Sequence, residues 1–85
     1  MTCDHAQALA LALAGQWAAA HDLVQPYSDR HSCLIHAYLH RVEGDYDNAR
    51  YWYRQAGVPM PANSLEEERE RLSAAIAPPG PPLQN

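Results

Sequence analysis

Apolar and polar positions follow one another in five blocks with a helical period, and glycine or proline closes each block. The first block predicts a helix over residues 4–14, capped by Thr2 or Asp4 and ended by Gly15. The second predicts a helix over 17–25, because Pro26 has neither the N–H nor the room to continue it. Ser28 or Asp29 caps a third helix that runs to 43, where Gly44 stops it. Asp45 or Asp47 starts a fourth, which reaches 56 ahead of Gly57 and Pro59. "SLEE" at 64–67 is a capping box: the Ser64 hydroxyl accepts from the backbone of Glu67, whose side chain reaches back. It opens a fifth helix ending at 77. The last stretch, "PPGPPLQN", lacks the donors for helix or sheet and predicts an extended, flexible tail. The expected fold is all-α, with about five helices forming two antiparallel helical hairpins and a C-terminal capping helix. The single helical domain covers 1–77 and the Pro-rich tail 78–85.

At about 100° per residue, Leu34, Ile35, Tyr38, Leu39 and Val42 share one face of the third helix, the predicted buried face. Cys33, His36, His40 and Glu43 share a sector of about 80° opposite it. On the fourth helix Tyr46, Ala49, Trp52, Tyr53 and Ala56 form the predicted core face. Tyr51 points the other way, with Arg50 and Arg54 at the border. The fifth helix turns Leu65, Leu72, Ala75 and Ile76 inward and Glu66, Glu67, Glu70 and Arg71 outward. Its early run of glutamates suits the helix dipole and predicts a solvated face.

Two segments align without gaps, "AGQWAAAHDLV" at 14–24 and "EGDYDNARYWY" at 43–53. Each carries glycine, a polar residue, an aromatic, and an alanine three residues after the aromatic; the glycines stand 29 apart. Glycine turns the chain at a helix end, the aromatic anchors the next helix, and alanine lets the two axes approach. Gly44, Asp45, Tyr46, Ala49, Tyr53 and Ala56 resemble the turn and second helix of a tetratricopeptide or Sel1-like repeat. The first copy matches at Gly15, Trp17 and Ala20, and the resemblance covers about residues 6–57. It implies stacked helical hairpins that bind a protein partner. The strings "AHDLVQ" and "HAYLHRVEGDYDNARYWYRQAG" also resemble a group of short bacterial proteins, and that resemblance implies no activity.

Composition narrows the classes. A chain of 85 residues buries only about 60–65% of its unfolded surface, so close packing or self-association matters, and a homodimer is plausible. Net charge is −4, and every cation is arginine, six in all, which excludes a broad basic surface for nucleic acid. Missing lysine beside abundant alanine, arginine and proline suggests a bacterial, GC-rich source. Cys3 and Cys33 make no disulfide framework, which suggests a reduced, cytoplasmic protein. "ALALALAG" at 8–15 follows Asp4 without a basic start, so it does not read as a signal peptide. It is also far shorter than the roughly 20 residues needed to cross a membrane.

Candidate chemistry concentrates in the third helix. His36 and His40 read first as a polar seam packed against a neighbouring helix, with Glu43 as hydrogen-bond partner; one turn apart and about 6 Å along the axis, they can also chelate one ion. A third ligand has to come from a neighbouring helix, with His21 as the candidate, or from Glu43. Zinc or a similar divalent metal is the implied ion. A zinc-protease motif is excluded, because Ala37 follows His36 where a glutamate is required. Cys33, Ser28, Ser32, Ser64 and Ser73 lack the context of a nucleophile, and no glycine-rich phosphate loop is present. The leading expectation is therefore a non-enzymatic, helical-repeat-like interaction module without cofactor. It would meet a protein partner or itself through Arg50, Tyr51, Arg54 and Gln55, residue types enriched at binding hot spots. The alternatives are a small metal-binding protein using His36, His40 and His21, and a small enzyme using histidine as acid or base.

Overall fold

The computed structural model describes residues 2–76, and all regular structure among them is helical. Helix α1 spans His5–Leu13, α2 Trp17–Val24, α3 Arg30–Val42, α4 Tyr46–Gln55 and α5 Leu65–Ala75. The expected tail at 78–85 lies outside the described residues. Side chains of Asp4, Asp29 and Asp45 cap α1, α3 and α4, and the Ser64–Glu67 box opens α5. Three turns close identically. Gly15, Gly44 and Gly57 have φ of 80°, 84° and 86°, a region that costs a side-chain-bearing residue energy. The residue after each glycine donates to the carbonyl five residues earlier: Gln16 to Leu11, Asp45 to His40 and Val58 to Tyr53. The first two of these turns are the 29-residue repeat.

α1 pairs with α2 and α3 with α4 as two hairpins. Ala8, Ala20, Ala37 and Ala49 are fully buried, as close approach of the axes requires. α3 is the central element and packs on α1, α2, α4 and α5, whereas α2 and α4 make no close backbone contact with each other. Every residue from Ser32 to Arg41 is buried. The histidine face is covered as well, because α2 and α4 flank it, so His36 and His40 pack in a seam against neighbouring helices with Glu43 as partner to His40. Three residues assigned to the core lie at the surface instead, Ala75 at the exposed end of α5 among them. Val42 is 46% exposed, at the last turn of α3, and Tyr46 is 54% exposed. Its counterpart in the first copy, Trp17, docks on the next hairpin, its indole N–H donating to the Leu39 carbonyl at 2.7 Å. Tyr46 has no following hairpin among the described residues on which to dock.

α5 packs across α3 and α1 instead of covering only the last hairpin. Its anchor is Glu68, which is fully buried, so the glutamate run is not wholly a solvated face. Glu68 accepts from Tyr53 Oη at 2.7 Å, from Asn63 Nδ2 at 2.9 Å and from Arg71 at 2.9 and 3.0 Å. Burial pushes its carboxyl up, but the donors Arg71, Asn63 and Tyr53 outweigh that and hold it below its ordinary value. Arg41 joins the network through Asn63 and, at 3.4 Å, through Tyr53 Oη. Among the described residues no helix is long and apolar enough to cross a membrane.

Candidate metal centre

α3 supplies His36 and His40, one turn apart on the face covered by its neighbours, and α2 supplies His21. Ring centroids lie 4.6 Å apart for His21–His36, 5.5 Å for His21–His40 and 4.9 Å for His36–His40. One ligand nitrogen from each lies within 4.8 Å of the others. Tetrahedral zinc, with Zn–N of about 2.0–2.1 Å, needs nitrogens about 3.3 Å apart. Side-chain swings of about 1.5 Å or less therefore close the set on an ion, with the helices in place.

Glu43 caps the C-terminal end of α3 and meets His40 from behind, Nδ1–H donating to Oε1 at 2.6 Å. That fixes the tautomer and leaves Nε2 with a free lone pair, the usual arrangement of a carboxylate behind a metal-ligating histidine. Glu43, Asp45 and His40 form a second group of donor atoms, but both carboxylates there are exposed and Glu43 is already engaged. Cys33, on the same stripe, is fully buried and outside the donor group. Burial, together with Asp29, pushes its thiol up, away from a reactive thiolate.

Two tryptophans hold the imidazoles. Trp52 of α4 stacks on His36 with centroids 3.9 Å apart and planes 15° from parallel. Trp17 stacks on His21 at 4.8 Å and 10°, and meets His40 edge-on at 5.9 Å. Burial, then the neighbouring His21 and His40, lowers the His36 pKa to about 4. Burial and His40 lower that of His21, against opposing pulls from Asp22 and Glu43. Both rings are thus neutral near pH 7, the form that ligates metal. Nδ1 of His36 is buried without a hydrogen-bond partner, in a ring only 2% exposed. An orphan of this kind costs about 1–3 kcal/mol.

His21, His36 and His40 are thus together in space, whereas Arg50, Tyr51, Arg54 and Gln55 lie apart on the exposed side of α4. Arg50 pairs with Asp47 at 3.3 Å, and Tyr51 sets its edge against Trp52 at 5.0 Å. Sequence reasoning missed the role of both tryptophans. The Trp17–His21 spacing of one helical turn was a readable signal; nothing local ties Trp52 to His36. It also missed a latch beneath α1. His5 Nε2 lies 2.7 Å from Asp29 Oδ2 and 3.1 Å from Ser32 Oγ, and Ser32 Oγ donates to Asp29 Oδ1 at 2.7 Å. Ser32 is fully buried and its proton is committed to Asp29, so this trio clamps the start of α3 and offers no nucleophile.

No known family model matches this chain, and comparison with curated proteins and with solved structures returns no match. The tetratricopeptide resemblance accordingly rests on the residues of the two turns.

Proposed function

We propose that this protein binds a divalent transition-metal ion, zinc or one of similar preference, through His21, His36 and His40, with Glu43 orienting His40. The observation that carries this reading is the convergence of three imidazole nitrogens, from two hairpins, within 4.8 Å. Ordinary packing does not require three histidines in mutual contact, two of them depressed in pKa. An all-nitrogen set suits zinc, copper(II), nickel or cobalt and disfavours calcium and magnesium, which prefer oxygen. A bound cation is also the kind of partner that the buried His36 Nδ1 lacks.

The test is calorimetric titration of metal-free protein with zinc, alongside His21→Ala and His40→Ala, with circular dichroism confirming that each variant folds. One zinc per chain, weakened in both variants, is expected. Absence of zinc uptake by the folded wild-type chain sinks the reading. Because binding favours the folded state, zinc at about 100 times its Kd adds about 2.7 kcal/mol to stability.

A second reading keeps the helical hairpins as a platform for a protein partner or a second copy. Its support is Tyr46 and Tyr51, 54% and 44% exposed, beside Arg50 and Arg54. Sedimentation and affinity capture with Tyr51→Ala as control test it; a strictly monomeric chain that captures nothing ends it.

A further inference from the structure

We infer that the ion held by His21, His36 and His40 keeps one exchangeable coordination position, which takes a compact neutral or monoanionic donor such as water, imidazole or azide. This rests on the metal-binding reading above. The donor group ends at three among the described residues. Cys33 lies outside it, and the Glu43 carboxylate is occupied behind His40. Zinc-type ions with three protein ligands keep the fourth position for water or substrate, while structural sites close it with a fourth side chain.

The surroundings say what reaches that position. His36 and His40 form a closed floor, 2% and 5% exposed, while His21, Trp17 and Trp52 are half-buried. α2 and α4 both pack on α3 without close backbone contact with each other. The partly exposed members of the set are thus His21 and the indoles of Trp17 and Trp52 that stack on the ligand rings, and these form its solvent side. Aromatic walls favour a flat or slender donor over a branched one. Charge narrows the class further. Glu43 hydrogen-bonds His40, and Asp22 is the exposed chain neighbour of His21, so two carboxylates border the set and weaken its attraction for a dianion such as phosphate. With an ion held by these three imidazoles, the fourth position would supply Lewis-acid chemistry to whichever donor occupies it.

Cobalt(II) loaded into the full chain reports the position through its visible spectrum. Equilibrium dialysis first establishes one cobalt per chain and checks that it stays bound during each titration. Azide and imidazole are then expected to shift the visible bands along saturable, single-site curves, with phosphate at least tenfold less effective. Bound cobalt whose spectrum ignores both azide and imidazole overturns the inference while leaving metal binding intact. So does a phosphate response equal to that of azide, or a cobalt-dependent dimer in which a second copy fills the position. Failure to bind cobalt and zinc at all brings down the metal-binding reading itself, and the inference with it.

Discussion

Glu43 Oε1 receives the Nδ1–H of His40 at 2.6 Å across one turn of α3. The pair joins a carboxylate 41% exposed to an imidazole 7% exposed, so Glu43 reaches in from the surface to fix a buried ring. Carboxylates in this position typically contribute 10–100-fold to metal affinity. Because Glu43 stays partly solvated, Glu43→Gln is expected at the lower end, weakening zinc about tenfold in calorimetry. The amide keeps the shape of the side chain, so the circular dichroism spectrum stays that of the wild type.

Trp52 and Trp17 stack directly on two of the three candidate ligands. Copper(II), a strong quencher of indole emission, is therefore expected to reduce tryptophan fluorescence with an endpoint at one ion per chain. His21→Ala, which removes the half-buried rim ligand, is expected to abolish the saturable phase. An undiminished saturable phase in that variant places the quenching ion elsewhere.

The Glu68 network ties α5 to the rest. Hydrogen bonds to a charged group contribute about 1.5–3 kcal/mol each, so Glu68→Gln is expected to cost about 2 kcal/mol in urea unfolding near pH 7. Arg71 is 47% exposed along its side chain, which keeps its own share small. The folded pKa of Glu68 is depressed below its ordinary value of 4.5, so the carboxylate binds its proton more readily once unfolded. Its contribution is complete above about pH 4.5 and is lost as pH falls through the lower folded value. The gap between wild type and Glu68→Gln should therefore shrink under acid; a gap that widens contradicts the assigned network.

Gly44 sits at φ 84° with open space around the position a Cβ would take. Gly44→Ala thus isolates the backbone cost of the turn, about 1–2 kcal/mol, without a clash. For a domain of this size that lowers Tm by roughly 4–8 °C per kcal/mol. Gly15→Ala, at φ 80° in the matching turn, should behave alike.

Much of the fold was legible because its signals are local. A capping Asp or Ser, a Gly at the turn and a Pro after a helix act within a few residues, and all five helices follow from them. The His36–His40 pair was legible for the same reason, whereas His21 stood beside Glu43 as one of two candidate third donors, because its approach depends on how α2 packs on α3. What the sequence hid depends on packing between distant segments. Tyr46 carries the same motif as Trp17, but only Trp17 finds a carbonyl of another hairpin. Glu66, Glu67 and Glu68 are identical side chains, and only the third lies over Tyr53, Asn63 and Arg71. The stacking of Trp52 on His36 joins residues of facing helices, which no period within either helix encodes.

His21 and His36 stand on consecutive helices, 15 residues apart along the chain. An ion shared between them closes that span into a ring. In the chain-entropy view a permanent link of this length restricts the unfolded ensemble by about 3 kcal/mol. Here the link is made of lone pairs, so a chelator opens the ring and a metal salt restores it. A chain with no disulfide among its described residues thereby acquires a staple whose setting follows the free metal around it.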